Sequence, residues 1–393
     1  MFKKLEIDNF KSLVNFSMEF TPMTVIIGNN ASGKSSILQA IDFLCNCVKE
    51  DFSVVIERRG WNVENIKSKL NASNNKIHFK SEIELTDSQG RENIYVWELT
   101  ISAFSGKNLL ELHSEKISKK ENGEILLEYV AGKKGFIQGK KEIIPIPSSF
   151  TMNSSVMKNI ADATEADEGI LQIKRFLLNS TSFELLSPAE MRLSSRGSAD
   201  TIGRSGKNLP SFIKKMDEDK KKRFMEKLQF VLGERITDVE TQTKGTPGWT
   251  QINVKEKYKD RSINVNSKEL SDGMLRVLAF IAISEISESN AVMLLDEIEN
   301  GINSNYAESL LKILSKIYEE SGHQLVMTTH STVFLDYVDK DSIVYLYRNE
   351  AGETRAAKLF GTDAMREQLE YMWPGEVILN MTSSAILDRL MSK

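Results

Sequence analysis

The spacing of apolar residues predicts alternating blocks of strand and helix along the chain. Residues 1–27 are predicted to be β-structure, because apolar and polar side chains alternate before a fully apolar run at residues 24–27. Apolar residues at helical spacing predict a helix over about 34–48. Residues 78–85 and 94–101 alternate well and are predicted to form an antiparallel hairpin.

The rest of the chain adds a helical region and then further buried strands. Residues 102–150 have weak strand-and-turn character, and the pattern becomes helical from about 153, with one long helix predicted over 209–232. Apolar strands at 291–295, 324–328 and 342–347 then alternate with amphipathic or apolar helices. The pattern predicts an α/β fold with a mixed central sheet, an antiparallel β-lobe and a mostly helical insertion at about 102–235.

A glycine-rich loop joins the first apolar strand to the first helix. From Gly28 to Ser35 it has the pattern G-x-x-x-x-G-K-S, and strand, loop and helix are the context that this phosphate-binding motif requires. A chance glycine turn is the competing explanation, and the flanking pattern disfavours it. Lys34 is predicted to reach the β- and γ-phosphates, and the Ser35 hydroxyl to ligate Mg²⁺. The predicted nucleotide-binding residues of this loop are Asn29, Asn30, Ala31, Ser32, Gly33, Lys34, Ser35 and Ser36.

Two later strands end in residues suited to hydrolysis of a phosphate bond. Asp296 and Glu297 follow an apolar strand, so Asp296 is predicted to hold Mg²⁺, usually through water, and Glu297 to orient and polarise the attacking water. His330 follows the next apolar strand by a short polar step, where an imidazole can contact the γ-phosphate. The competing explanation is an ordinary polar turn after each strand. Glu297 and His330 are the predicted catalytic residues.

A Ser-x-Gly turn opens the apolar helix that begins near residue 275. Such a turn presents backbone amides, a hydroxyl and the positive end of a helix to an anion. A second phosphate cradle within one chain would be redundant, so Ser271 and Gly273 are predicted to bind the γ-phosphate held by a partner subunit. The alternative is an ordinary helix N-cap.

Composition limits the choice of partners. The chain has 51 Lys and Arg against 55 Asp and Glu, a net charge of −4, so binding of nucleic acid would have to depend on a local basic patch. Lysines are frequent in residues 116–141 and 214–223, but acidic residues 217–219 interrupt the second stretch. A solvated helix surface is the favoured interpretation of that stretch, and nucleic-acid contact is the alternative.

Cysteine usage and hydropathy indicate a reducing, cytoplasmic setting. Cys45 and Cys47 are the only cysteines, and two cysteines cannot complete a structural zinc site. No apolar run of 18 residues and no signal-peptide pattern are present. We therefore expect no membrane association.

The motifs taken in order resemble those of the ATP-binding-cassette ATPases. Within that group, the opening pattern L-x-I-x-N-F-K-S from Leu5 to Ser12 resembles the branch that contains RecF, SMC and the overcoming-lysogenization-defect (OLD) ATPases. The resemblance covers roughly residues 1–100 and 235–350. It implies two ATP molecules sandwiched in a head-to-tail homodimer or a higher homo-oligomer, with Ser271 and Gly273 acting across the interface. Residues 299–303 match the position of the D-loop, which communicates between the two sites.

The resemblance also suggests how the chain is divided. Residues 1–101 and 236–350 are expected to be the two parts of an ATPase head, 102–235 an insertion for partner recognition, and 351–393 a tail. Asp272 and Met274 stand where transporters usually carry Gly and Gln, and no Q-loop glutamine is assigned. The 236 positions from Lys34 to Leu270 are too many for a transporter cassette. They are too few for the coiled-coil arms of SMC and lack the heptads of those arms. The tail is too short for the nuclease domain of OLD proteins, so we expect a form without it.

The leading functional prediction is a dimeric ATPase that uses ATP and Mg²⁺ as a conformational switch. By analogy it resembles the sensor subunits of bacterial anti-phage defence modules, which are paired with a separate effector, a nuclease or toxin. One alternative is a RecF-like ATPase of DNA repair that binds DNA directly. Another is a structural scaffold in which ATP only holds an oligomer together.

Overall fold

The computed structural model describes residues 1–87, 89–161, 166–183, 186–245, 248–286 and 290–391. Its strands, in chain order, are β1 (Phe2–Asp8), β2 (Phe16–Glu19), β3 (Met23–Gly28), β4 (Lys76–Thr86), β5 (Glu92–Phe104), β6 (Leu109–Lys119), β7 (Ile125–Val130), β8 (Gly135–Gln138), β9 (Ile143–Ile146), β10 (Thr181–Ser182), β11 (Ser195–Arg196), β12 (Ile236–Lys244), β13 (Trp249–Tyr258), β14 (Arg261–Asn266), β15 (Val292–Leu295), β16 (Gln324–Thr328), β17 (Ile343–Arg348) and β18 (Thr354–Lys358). Its α-helices are α1 (Lys34–Cys47), α2 (Phe52–Arg58), α3 (Val63–Ile66), α4 (Glu168–Asn179), α5 (Pro188–Met191), α6 (Leu209–Lys215), α7 (Glu218–Leu232), α8 (Asp272–Ile283), α9 (Ala307–Ser321), α10 (Thr332–Leu335), α11 (Asp363–Arg366), α12 (Pro374–Asn380) and α13 (Ser383–Met391).

The chain forms two compact units, each built from three segments. The first unit consists of Met1–Thr181, Asn290–Val292 and Val344–Lys358. The second consists of Ser182–Ser289, Met293–Ile343 and Leu359–Lys393. The phosphate loop belongs to the first unit, whereas Ser271, Asp296, Glu297 and His330 belong to the second. The four-part functional division drawn from the sequence stays a prediction.

An antiparallel sheet of eight strands dominates the first unit. Its order is β2-β1-β4-β5-β6-β7-β8-β9, and every neighbouring pair is antiparallel. The hairpin predicted over residues 78–85 and 94–101 is formed by β4 and β5, with Ile77 opposite Ile101. Ser88, which belongs to the turn predicted from the sequence, lies outside the described residues. Strands β6 to β9 continue the sheet, so the first third of the predicted insertion is strand and its helices follow.

Alternating burial explains why the polar residues of these strands do not interrupt the sheet. In β4 every second residue from Ile77 to Leu85 is buried, and the residues between them are half-exposed. Side chains of successive strand residues point to opposite faces, so one face of the sheet packs inward and the other carries charged groups. In β6 the alternation has one irregularity: Leu110, Leu112, Glu115 and Ile117 are buried, whereas Glu111, Lys116 and Lys119 are half-exposed.

Aromatic packing holds the helix that follows the phosphate loop. The Phe43 ring on α1 lies 5.9 Å from that of Phe10, 5.9 Å from Phe79 on β4 and 6.2 Å from Phe52 on α2. Each such pair contributes about 0.5–1.5 kcal/mol beyond the burial of its apolar area. The cluster therefore fixes α1, and with it the end of the phosphate loop, against the sheet.

A buried ion pair ties the same helix to the end of α2. The Arg59 guanidinium donates to Oδ2 of Asp42 from Nε at 2.9 Å and from Nη2 at 2.5 Å. Both side chains are only 5% exposed. The guanidinium also lies over the Trp61 ring, 4.5 Å from its centroid. Since little water reaches this pair, each charge depends on the other.

The first unit also contains a smaller group of strands behind the phosphate loop. The strands β3, β17 and β18 are neighbours in that order, and β17 and β18 are antiparallel with Tyr345 opposite Ala357. All residues from Thr24 to Ile27 are buried. This arrangement places the β17–β18 hairpin beside the strand that leads into the loop.

The second unit combines a twisted antiparallel meander with two fully buried strands. Strands β12, β13 and β14 pair in succession, and β11 pairs with β13. Every residue of β15 and of β16 is buried, as their apolar sequences predict. The apolar helix predicted after the Ser-x-Gly turn is α8, which begins at Asp272.

One predicted helix is divided in two. The sequence predicts a helix over 209–232, but α6 ends at Lys215 and α7 begins at Glu218. Asp217 accounts for the break, because its side chain accepts a hydrogen bond of 2.8 Å from the Lys220 amide and so caps a new helix. Among the described residues, none of the helices is long and apolar enough to cross a membrane. The α/β class, the antiparallel β-lobe and the helices that follow it are confirmed.

The buried pair gives a stability prediction. Arg59→Met leaves the Asp42 carboxylate buried without its counterion, which should lower the unfolding free energy by about 3–5 kcal/mol. The neighbouring Arg58 pairs with Glu50, but those side chains are 38% and 36% exposed. Arg58→Met should therefore cost about 0–1 kcal/mol. Urea denaturation of the two variants measures both losses, and equal losses would contradict the role assigned to the buried pair.

Candidate functional site

The phosphate loop of the first unit runs from the end of β3 to the first turn of α1. Its backbone takes positive φ at Gly28 (149°), Ala31 (60°) and Gly33 (109°). A Cβ at Gly28 would lie 2.3 Å from the Leu346 carbonyl oxygen, and one at Gly33 would lie 2.5 Å from Thr354 Oγ1. The two glycines of the motif are therefore required by close neighbours as well as by backbone conformation.

The side chains of the loop suit a bound phosphate. The Lys34 ammonium donates to the carbonyl oxygens of Gly28 at 2.9 Å and Asn29 at 3.1 Å, so it lies at the entry of the loop. Ser32 Oγ is buried and has no hydrogen-bond partner in the described part of the chain. A phosphate oxygen in the loop would satisfy that hydroxyl, so the residues present fit a nucleotide. Asn29, Asn30, Ala31 and Ser35 are exposed, and Ser36 is half-buried.

The β17–β18 hairpin braces this loop from behind. Thr354 Oγ1 donates to the Ser32 carbonyl at 2.9 Å, and it lies 2.9 Å from Ser12 Oγ. Arg348 Nε donates to the Ala31 carbonyl at 2.9 Å. Burial lowers the pKa of the Arg348 guanidinium below its usual value. The sequence motif gives no signal for these two residues, because they lie more than 300 positions away.

In the second unit, Thr328 joins the two acidic residues that follow β15. Thr328 Oγ1 donates to Asp296 Oδ1 and accepts a hydrogen bond of 2.9 Å from the Glu297 amide. Glu297 is exposed and has a left-handed backbone with φ of 48°. A non-glycine residue in this conformation costs about 1–2 kcal/mol, and such strain persists where surrounding contacts enforce it. The Thr328 contacts supply that enforcement.

Glu299 connects the same corner to His330. Its carboxylate accepts a hydrogen bond of 2.7 Å from Thr329 Oγ1 and one of 2.6 Å from the His330 amide. The His330 residue itself is exposed. The loop after β15 and the loop after β16 are thus held together by one carboxylate. The second unit brings Asp296, Glu297 and His330 to one edge, and the sequence missed Thr328 and Glu299 as their supports.

The Ser-x-Gly turn lies against the loop at residues 299–303. Ser271 caps α8, since its Oγ accepts a hydrogen bond of 3.2 Å from the Met274 amide, and the residue is exposed. A Cβ at Gly273 would lie 2.5 Å from the Gly301 carbonyl oxygen. Arg192, after α5, donates to the Leu270 carbonyl at 2.9 Å and to Asp272 at 2.5 Å. Glycine at 273 is therefore needed for this close packing.

A recess of about 380 Å³ opens at this turn. It is lined by residues of the turn, of the 301–303 loop and of the α7 end, including Arg235, Ser271, Gly273, Asn303 and Tyr306. Nearby on α8, burial lowers the pKa of Arg276, while Asp272, Glu297 and Glu299 act in the opposite direction. Arg276 is therefore within electrostatic range of the predicted catalytic carboxylate, and the sequence did not indicate it.

The chain is similar to a known protein family and to individual known proteins. The family model described as "AAA domain, putative AbiEii toxin, Type IV TA system" matches residues 23–336. An "ATP/GTP phosphatase" of Helicobacter pylori is 21% identical over 350 residues, which cover 86% of this chain and 88% of that protein. A "DNA replication and repair protein RecF" of Lachnoclostridium phytofermentans is 48% identical over 48 residues, 12% of this chain and 13% of that one.

A solved structure is similar over nearly the whole chain. The "Crystal structure of the SmcHead bound to the C-winged helix domain of ScpA" matches with a TM-score of 0.57 and 15% identity, covering 93% of this chain and 99% of that one. At this identity the match shows the fold, that of an ATPase head. The resemblance drawn from the order of motifs is confirmed, although the individual site residues keep the status of predictions. The chain belongs to the AAA domain family whose model matches residues 23–336, and it is an ATPase of the SMC and RecF type.

Proposed function

We propose that two copies of this chain close two ATP sites head to tail and act as a switch on a separate effector protein. ATP binding would close the pair, and hydrolysis would open it. By analogy with other standalone ATPases of this type, the effector would be a nuclease or toxin of an anti-phage defence system. The exposed Ser-x-Gly turn is the observation that carries the proposal.

That turn has the features of an anion site. The positive end of the 12-residue helix α8, the Ser271 hydroxyl and the Arg235 guanidinium all border the recess. Arg235 is held in place by hydrogen bonds to Glu256 at 2.9 Å and to the Tyr258 hydroxyl at 2.8 Å. A γ-phosphate held in the phosphate loop of a second copy would satisfy this site, and the same contact repeated by symmetry gives a closed pair.

Different residues of the chain would bind the phosphates, accept the proton and hold the metal ion. Lys34 and the loop amides would bind and orient the phosphates, and Glu297 would accept the proton of the attacking water. Ser35 and Asp296 would hold Mg²⁺, which neutralises phosphate charge when bound. Thr328 holds the Asp296 carboxylate and the Glu297 backbone amide through its single hydroxyl.

Glu299 supports the switch part of the proposal. It lies in the segment that borders the Ser-x-Gly turn and accepts hydrogen bonds from Thr329 and from the His330 amide. If loss of the γ-phosphate moves His330, the hydrogen bond to Glu299 would therefore displace the 299–303 loop as well. The coupling element is a short hydrogen-bonded path within one unit.

Direct binding of DNA, as in the RecF-like alternative, would have to use basic residues that are not neutralised. On α7, Arg223 and Lys227 both pair with the buried carboxylate of Glu285, and Lys221 lies 3.9 Å from Asp238. Much of the positive charge of this helix is therefore paired with carboxylates of the second unit. Residues 102–235 stay the predicted partner-recognition region, and a salt-dependent DNA affinity without any partner would favour the alternative.

The catalytic assignment makes a first prediction for this function. Glu297→Gln keeps size and hydrogen bonding but loses the negative charge, so ATP hydrolysis should fall by about 10²-fold or more. ATP binding, measured by calorimetry, should persist. Lys34→Ala should instead weaken ATP binding at least tenfold, about 1.4 kcal/mol. Glu308→Gln on α9 is the matched control and should hydrolyse ATP normally, whereas normal turnover by Glu297→Gln would refute the assignment.

The shared site makes a second prediction. Ser271→Arg puts a bulky side chain where the facing γ-phosphate would bind, so it should abolish hydrolysis. It should also prevent ATP-dependent pairing, which analytical ultracentrifugation would measure. Ser315→Arg, an exposed position on α9, should change neither property.

Complementation separates this effect from misfolding. When Ser271→Arg is mixed with Lys34→Ala, one composite site in each mixed pair contains neither change, so part of the activity should return. A Ser271→Arg protein that hydrolyses ATP at the normal rate would rule out the shared site. The shared site would also be ruled out if the mixture stays inactive although circular dichroism shows that both variants are folded.

Control of an effector is tested in the native host. Tagged Glu297→Gln, which should stay in the ATP-bound pair, is purified after phage infection beside tagged Lys34→Ala. The proposal expects a nuclease or toxin to be retained at clearly different levels by the two baits, since the switch state differs. Equal retention of every protein, or phage sensitivity unaffected by deletion of the gene, would contradict the proposed control.

A further inference from the structure

A groove lies near the C-terminal end of the second unit, between the end of α10 and the start of α12. Its volume is about 720 Å³. Four carboxylates and two aromatic rings are among the side chains that line it: Asp336, Asp339, Glu370, Glu376, Tyr371 and Trp373. The functional sites predicted from the sequence do not include any of these residues.

The walls of this groove are fixed by short contacts. Asp336 Oδ1 accepts a hydrogen bond of 2.8 Å from the Gly375 amide, and Glu376 accepts one of 2.8 Å from the Trp373 amide. A Cβ at Gly375 would lie 2.2 Å from the Thr332 carbonyl oxygen, so α12 packs directly on α10. The groove therefore has a defined shape before anything binds, which lowers the entropic cost of binding.

The aromatic rings are unusually open to solvent for their size. Tyr371 is 82% exposed and Trp373 is 65% exposed. Aromatic residues are enriched in protein–protein interfaces, and large ones exposed in the same groove are typical of a binding surface. The electron-rich faces of both rings also attract ammonium and guanidinium groups.

The negative charge of the groove favours a partner with basic groups. Lys340 is the single basic residue among its lining side chains. Within the described ranges, none of the four carboxylates forms an ion pair with another residue of the chain. Their combined field attracts basic groups and repels the phosphates of nucleic acids and anionic lipids.

We propose that this groove docks a segment of a separate protein in which lysine or arginine side chains lie next to apolar ones. The basic groups would pair with Asp339 and Glu370, while the apolar neighbours would cover the rings of Tyr371 and Trp373. The proposal names the chemistry of the partner and depends on the proposed function only in requiring a separate protein. It does not require ATP hydrolysis.

Selection from a random peptide library tests the groove directly. A phage-displayed library of 12-residue peptides is panned on the full chain, with the Trp373→Ser variant as counter-selection. We expect enrichment of sequences that combine Lys or Arg with Leu, Ile or aromatic residues. No enrichment over the starting library, or enrichment of acidic sequences, would overturn the proposal.

Matched variants then assign the binding to these residues. Affinity of the best synthetic peptide, measured by fluorescence polarisation, should fall about tenfold or more in Trp373→Ser, as for a buried aromatic anchor. It should fall likewise in the double variant Asp339→Lys, Glu370→Lys, and weaken as salt rises. Trp249→Ser changes another exposed tryptophan, 53% exposed and outside the groove, and should bind normally. Equal affinity in Trp373→Ser and the wild type would refute the groove as the site.

Two further readouts keep the two proposals apart. ATP turnover should be unchanged in the groove variants, so lost peptide binding with normal turnover concerns the groove alone. A chain that binds the peptide but fails to hydrolyse ATP would contradict the proposed function and leave the groove standing. Nucleotide-free self-association that Trp373→Ser abolishes would assign the groove to a second copy and overturn the choice of a separate partner.

Discussion

The hydrogen bond from Thr354 to the Ser32 carbonyl connects the phosphate loop with a strand near the other end of the chain. The loop cannot be held by regular secondary structure, because its glycines and Ala31 take left-handed conformations that end the strand before it. Three contacts from the β17–β18 hairpin replace that support: Thr354 on Ser32, Arg348 on Ala31 and the Leu346 carbonyl against Gly28. A loop fixed in this way keeps its backbone conformation, so binding of an anion would not have to reorganise it.

In the second unit, hydroxyl and carboxylate groups hold the loops that follow the buried strands. Glu297 has to leave the end of a buried strand in a strained conformation, and the Thr328 hydroxyl stabilises that turn while also contacting Asp296. Glu299 does the same for the loop that carries His330. Thr328 ends β16 and Glu299 lies in the loop after β15, and each side chain reaches the neighbouring loop. The predicted catalytic residues are thus exposed, and the residues that position them are buried or half-buried.

The contiguous parts of the fold and the site could be predicted from the sequence, and the long-range parts could not. The pattern from Gly28 to Ser35, the apolar strand before Asp296 and the capped turn at Ser271 each carry their signal within a few residues. Thr354 and Arg192 act on residues 322 and 80 positions away, and no local pattern marks such a pair. Strands β6 to β9 are only weakly indicated, because the alternation of β6 breaks at His113 and Ser114 and because β8 and β9 are short. The break at Asp217 was missed because the apolar spacing continues through it.

The pairing of charges in the second unit supports the proposal of a protein partner. The unit's most basic helix is α7. Arg223 and Lys227 on this helix both form ion pairs with Glu285, which is 4% exposed. A buried carboxylate with two cations is costly to disturb, so those cations cannot leave it readily for a phosphate backbone. The carboxylates of the groove beside Trp373, by contrast, keep their charge facing solvent. The acidic groove also carries the exposed aromatic rings with which a basic protein segment can pair.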